Sequence, residues 1–254
     1  CAETLISGYD ICRPMIAGLD KYMQEHGYTD LSEMRGLVVP EVRTATDVTI
    51  SGNVSFVGSR AFAECWELKQ VSFSEGLSAI GQGAFENCDV LEEVILPQGL
   101  SMVEDSAFRG CSSLEKAVIP DSVMYIGAQA FNGCTSLKEV ELPESTRIIS
   151  YQSFAYSGLE SIEIPDNVVV LQGESFRGCE NLKSVKLPAS LIRSDDGENH
   201  FADCINLTTV IMPQGADPVF DPWFFKNCDS LTDISFHTAS TIGQSMYQGC
   251  DGLT

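Results

Sequence analysis

The sequence predicts a β-rich repeat solenoid preceded by a short N-terminal helical segment. Three observations carry that expectation. A unit of about 23 residues recurs with one Phe and one Cys in fixed register. A proline closes an extended stretch in most units. Residues 1–43 follow helical rather than repeat spacing.

In the first segment Cys12, Met15, Ile16, Leu19, Tyr22 and Met23 fall on one helical face. Pro14 suits a first turn and Gly27 a helix end. The stretch TDLSEMRG predicts a second short helix, with Asp30 and Glu33 placed as a capping box. Such a segment would shield the apolar end of the first repeat, or would be the remnant of a preceding domain.

The repeat domain is expected over 44–254 as about nine units. Its Phe positions are Phe62, Phe85, Phe108, Phe131, Phe154, Phe176, Phe201 and Phe225, with Tyr247 in the last unit. Three residues on stand Cys65, Cys88, Cys111, Cys134, Cys179, Cys204, Cys228 and Cys250, with Ser157 as the exception. A Leu and then a small branched residue follow, and Pro97, Pro120, Pro143, Pro165, Pro188 or Pro213 ends the stretch. Proline has no N–H to give to a strand ladder, so it stops one. A second extended piece, such as SVMYIG, then leads to the next Phe. One unit cannot bury its own apolar side, but stacked units cover each other. Parallel stacking at about 4.8 Å places Phe on Phe and Cys on Cys, inside. Thiols that point the same way do not meet disulfide geometry, so they are expected to be reduced and buried. After Leu253 the template demands another strand and proline, so repeats are expected to continue past Thr254.

Fifteen Lys and Arg stand against 36 Asp and Glu, a formal charge of -21, which argues against nucleic acid as a partner. No run of 18 apolar residues suggests a membrane span. His26, His200 and His237 have no metal-ligand spacing, there is no Cys-x-x-Cys, and no catalytic constellation is visible. No metal or cofactor is expected.

Candidate binding residues come from the strand positions that face outward. One row contains Ile95, Val118, Glu141, Glu163 and Lys186, and a neighbouring row contains Glu139. Ile95 and Val118 make a small apolar spot beside three carboxylates, suited to a peptide with an apolar and basic face. Ordinary strand surface is the alternative. Two stretches break the repeat. LIRSDDGENHF, 191–201, is a solvated loop or a partial calcium loop. PQGADPVFDPWFF, 213–225, carries Phe220, Trp223 and Phe224, which form a binding hot spot if exposed and patch an irregular turn if buried.

The pattern IGxxAFxxCxxLxxVxLP resembles the BspA-like, treponemal-type leucine-rich repeats. That resemblance implies a right-handed leucine-rich-repeat superhelix with a concave parallel sheet. It also implies a cell-surface or secreted protein that binds a protein or glycan ligand, in adhesion or interaction, without catalytic residues. Separately, SGYDICRPMIAGLDKYMQEHGYTDLSEMRGLVVPEV resembles the end of the flavin barrel of dihydroorotate and dihydropyrimidine dehydrogenases. This second resemblance implies a repeat tail on a cytoplasmic flavoenzyme whose catalytic barrel lies upstream. It makes Cys1 an internal residue rather than the acylated cysteine of a lipoprotein.

Overall fold

The computed structural model describes residues 44–50, 54–190, 193–195, 198–211, 222–234 and 245–253, with the backbone alone at 193–195 and 233. The helices expected in 1–43 lie outside the described residues, as do 212–221 and 235–244.

Among the described residues the first seven units contribute two short strands each and the last two contribute one. In chain order these are β1 (Asp47–Ile50), β2 (Phe56–Val57), β3 (Gln70–Phe73), β4 (Ala79–Ile80), β5 (Glu93–Ile95) and β6 (Met102–Val103). There follow β7 (Lys116–Val118), β8 (Tyr125–Ile126), β9 (Glu139–Glu141), β10 (Ile148–Ile149) and β11 (Ser161–Glu163). The last are β12 (Val170–Gln172), β13 (Ser184–Lys186), β14 (Arg193–Asp195), β15 (Thr209–Ile211) and β16 (Asp233–Ile234). The first strands of the units stack in parallel as β1-β3-β5-β7-β9 and then β11-β13-β15-β16. The second strands stack as one parallel sheet, β2 through β14. No helix occurs among the described residues.

The register matches the sequence template. Val94 lies beside Ala117 and Ala117 beside Val140, all inward and buried. Pro97, Pro120, Pro143, Pro165 and Pro188 sit at the corner between the two sheets. Leu100 N donates to Pro97 O at 3.2 Å, Val123 N to Pro120 O at 2.9 Å and Val168 N to Pro165 O at 3.0 Å. The proline carbonyl thus closes a four-residue turn while its nitrogen ends the ladder.

The third side of each coil is a tight turn around the Phe. There Phe62 N donates to Ala84 O and Phe85 N to Ala107 O, so backbone ladders run turn to turn on this side as well. The Phe rings form one continuous stack. Centroids lie 5.2 Å apart for Phe62–Phe85, 5.3 Å for Phe108–Phe131, 5.4 Å for Phe131–Phe154 and 5.0 Å for Phe176–Phe201. The stack continues through Phe225 to Tyr247.

The eight ladder cysteines are free thiols, buried in line. Each thiol also has a partner that the spacing alone does not show. Cys88 Sγ donates to Phe62 O at 3.1 Å, Cys111 Sγ to Phe85 O at 3.2 Å and Cys134 Sγ to Phe108 O at 3.3 Å. Cys is therefore retained as a small apolar side chain that also donates to a buried carbonyl of the preceding coil. Burial pushes the Cys111 thiol up to about 12, and it raises Cys134 as well.

One unit is a residue short. Between Ser157 and Leu159 stands only Gly158, where Ser112 and Ser113 separate Cys111 from Leu114. A Cβ on Gly158 would sit 2.1 Å from Thr135 O. Only glycine lets the shortened corner close against the coil below. The first-strand ladder is interrupted at this level, between β9 and β11.

Candidate functional site

The outward row of the first-strand sheet is built as the alternation requires. Ile95 is in register with Val118 and Val118 with Glu141. Above the interruption Glu163 is in register with Lys186 and Lys186 with Ile211. Ile95, Val118 and Ile211 are exposed at 53%, 39% and 48%, high for branched apolar side chains. The row expected as one continuous line therefore lies on two strand ladders, β1 to β9 and β11 to β16, which meet where Gly158 shortens the unit.

Charge on this face is partly internally matched. Lys116 Nζ lies 2.7 Å from Glu93 Oε1, and Lys116 is in register with Glu139 on its other side. Lys186 Nζ bonds Glu163 Oε1. Glu163 is thus an ion-paired carboxylate, and the pair of Glu141 and Glu163 expected to meet a cation reduces to Glu141 as the primary one. Such exposed pairs contribute little to stability but fix where charge is presented.

A groove of about 590 Å³ runs along the ends of these strands. It is lined by Val118 and Glu141, by the corner acids Asp121, Glu144 and Asp166, and by the Glu163–Lys186 pair. A second depression of about 550 Å³ lies directly over Val118, Glu139 and Glu141. Val118 and Glu141 line both. The surface offers a shallow apolar floor with an excess of carboxylate at its rim.

The irregular 213–225 stretch differs from the exposed alternative. Phe224 is fully buried. It stands at the template position held by Ala84, Ala107 and Ala130, one residue before the stacked Phe, and that position faces the core. Its ring lies 4.9 Å from that of His200, which occupies the same position one unit below, and 5.5 Å from Phe201. Phe224 therefore leaves the candidate surface. The signal was in the alignment itself, because the residue preceding the ladder Phe is inward in every described unit from Ala84 onward. Trp223 is half-buried in the turn with φ of 59°, and Phe220 lies outside the described residues. His200 is buried, with Nδ1 3.0 Å from Gln172 O, and serves the core.

Among the described residues no group of three or more His, Cys, Asp or Glu is arranged to hold a metal ion, and no helix is long and apolar enough to cross a membrane.

The Phe turns carry a polar ladder that the sequence reading did not find. Glu86, largely buried, bonds Arg60 and lies 3.1 Å from Arg109 Nη1. Gln129 Nε2 donates to Gln152 Oε1 at 2.6 Å, and Gln152 Nε2 to Glu174 Oε2 at 2.6 Å. Arg177 then joins Glu174 and Asp203. These groups are consumed in tying coil to coil.

Comparison with known proteins follows the same lines. A sequence model described as the BspA type leucine rich repeat region matches residues 41–159 and 147–254, in 6 copies. No curated protein matches. A leucine rich cell surface protein from Faecalibacterium prausnitzii A2-165 is 26% identical with a TM-score of 0.58, over 82% of this chain and 65% of that one. The T. pallidum leucine rich repeat protein is 28% identical with a TM-score of 0.55, over 75% of this chain and 79% of that one. The pneumococcal vaccine antigen PcpA, 21% identical with a TM-score of 0.50, shares the fold over 82% of this chain and 60% of its own. The chain thus spans just under two thirds of the F. prausnitzii protein's length. The flavin-barrel resemblance of residues 1–43 finds no support in these comparisons.

Proposed function

The chain belongs to the BspA-type leucine-rich repeat family, and from that premise we propose that it is a non-catalytic interaction module which binds a protein ligand at the cell surface. The similar F. prausnitzii structure is that of a cell surface protein, which favours that compartment. The observation that carries the reading is the outward row Ile95–Val118–Glu141. Its side chains are exposed, in register, and bordered by an acidic groove. The inward side chains are consumed by packing and the Phe turns by their own ladders, so on the first-strand face this row is where sequence is free to encode recognition. Desolvation of Ile95 and Val118 supplies affinity, and Glu141 with the corner acids selects a basic neighbour.

Selection of a phage-displayed random peptide library on the folded chain tests this. Enriched peptides are expected to combine apolar with Lys or Arg side chains. They are expected to lose at least about tenfold in affinity, about 1.4 kcal/mol, against an Ile95→Ser, Val118→Ser, Glu141→Lys variant. Enriched peptides that bind this variant as well as wild type would overturn the reading.

A further inference from the structure

The second-strand sheet has its own outward row. Phe56 is in register with Ala79, Ala79 with Met102, Met102 with Tyr125, and Ile148 with Val170. Tyr125 and Ile148 are adjacent because Ile126 pairs with Ile149. Every member is apolar or aromatic. Met102, Tyr125 and Ile148 are exposed at 38%, 39% and 39%, and Met124 beside them at 64%. Scattered exposed apolar residues are ordinary, but three on successive coils, continued by half-buried Phe56, Ala79 and Val170, make a stripe. It ends at Arg193, which is in register with Val170.

The stripe is about 24 Å long, five steps of about 4.8 Å. That is too narrow to supply the roughly 800 Å² per partner of a stable dimer, and a chain of charge -21 opposes its own copy. It fits a single rod. An α-helix lying along the solenoid axis presents one apolar contact per turn of about 5.4 Å, close to the rung spacing, and spans the stripe in about 16 residues. Charge selects the rest of the helix. Glu104 and Asp105 follow Met102 on one side. On the other, the corner turns carry exposed Glu75, Asp121, Glu144 and Asp166, with Gln98 in that place on the Met102 coil. Arg147 and, beside Glu144 and Asp166, Lys186 are set against them, which leaves acid in excess. We infer that this stripe is a second docking surface, which takes a basic amphipathic helix of a partner protein, apolar face down and Lys or Arg toward both acidic margins.

The surface shares the corner acids Asp121, Glu144 and Asp166 with the groove beside Glu141 but not the Ile95–Val118 line, and the experiment keeps the two apolar lines apart. The probe is a labelled 18-residue Leu/Lys peptide with Leu at i, i+3, i+4 and i+7, titrated onto the full chain at physiological salt. A peptide of the same composition with Leu spread over all faces measures charge attraction alone. Met102→Thr, Tyr125→Thr, Ile148→Thr removes the apolar line without changing charge. The amphipathic peptide is expected to bind at least about tenfold more tightly than the scrambled one, and to lose that advantage on the triple variant. An Ile95→Thr, Val118→Thr variant is expected to bind it as wild type does. Hydrogen exchange of the wild-type chain is a second readout, with slowed amides expected at 102–103, 125–126 and 148–149 on peptide addition. Equal binding of both peptides, unchanged binding by the triple variant, or protection confined to 93–95 and 116–118 would overturn the inference. So would retention on phosphatidylcholine vesicles that the triple variant abolishes, because it would assign the stripe to a lipid surface.

Discussion

Phe131 is the residue on which the packing argument is most exposed to test. It lies at the middle of the ring stack, fully buried, with Phe108 5.3 Å below and Phe154 5.4 Å above, both rings near parallel. Phe131→Ala removes a whole ring from a site that cannot collapse, because the backbone on either side is held by turn-to-turn bonds such as Phe108 N to Ala130 O and Phe131 N to Ser153 O. Phe-to-Ala changes in such cores cost about 3–5 kcal/mol. Two stacked contacts, each about 0.5–1.5 kcal/mol, lie within that cost and push it to the upper end. In a protein of this size about 5 kcal/mol lowers the midpoint of thermal unfolding by roughly 10–20 °C. Far-UV circular dichroism on heating and in urea measures it, with Ile95→Ala as the surface control, expected within about 0.5 kcal/mol of wild type. A Phe131→Ala midpoint equal to that of the control would refute the stacked core.

The remaining predictions follow from the thiols and the turns. Cys111 is raised from 9.0 to about 12 by burial and Cys134 is raised too, so the folded state holds these protons more tightly than the unfolded one. The Cys111 contribution is complete below about pH 8.5 and is lost as pH climbs toward 12, at about 1.4 kcal/mol per pH unit, and Cys134 acts in the same direction. Urea midpoints are therefore expected to fall steadily above pH 9, and a flat profile to pH 10.5 would contradict the buried ladder. The eight ladder cysteines are expected to resist thiol alkylation at pH 8 in the native protein, and close to all ten cysteines to react once it is unfolded without reductant. Four or more disulfides would contradict it. Gly178 has φ of 67°, and a Cβ there would lie 2.5 Å from the Tyr156 ring. Gly178→Ala is expected to cost about 1–2 kcal/mol from the left-handed backbone alone. Part of any further loss should return in a Gly178→Ala, Tyr156→Ala double variant, and strict additivity would show that the ring is not the obstacle.

The fold was legible because its signals repeat. A ladder position has the same neighbours in every coil, so Phe at 62, 85, 108 and 131 reports one environment several times over. Proline at the corners and alternation along the first strands were equally direct. Two features escaped for physical reasons. The bond from each Cys thiol to a Phe carbonyl joins adjacent coils, and spacing within a unit does not reveal which carbonyl a thiol meets. The interruption between β9 and β11 follows from a single missing residue at Gly158, whose effect is geometric and not compositional. Phe224, left open between an exposed and a buried reading, is buried, and its place on the template, where the position faces inward, was the signal that decides it. The outward row of the first strands was found from alternation. The outward row of the second strands was passed over because two-residue strands show no alternation of their own. The pairing of Glu163 with Lys186 needed side-chain geometry, since register alone makes them neighbours without making them bonded.

The central claim is that recognition resides on the first-strand face at Val118 and Glu141, and carbodiimide footprinting of carboxylates with and without a selected high-affinity peptide tests it most directly. Glu141 and Glu139 are expected to lose most of their labelling when peptide is bound, with Asp121 and Glu144 partly protected, while Glu64, Glu67 and Glu180 on the far coils label as before. Protection confined to Glu104 and Asp105, or to the acids of 229–251, with Glu141 labelled equally in both states, would contradict it.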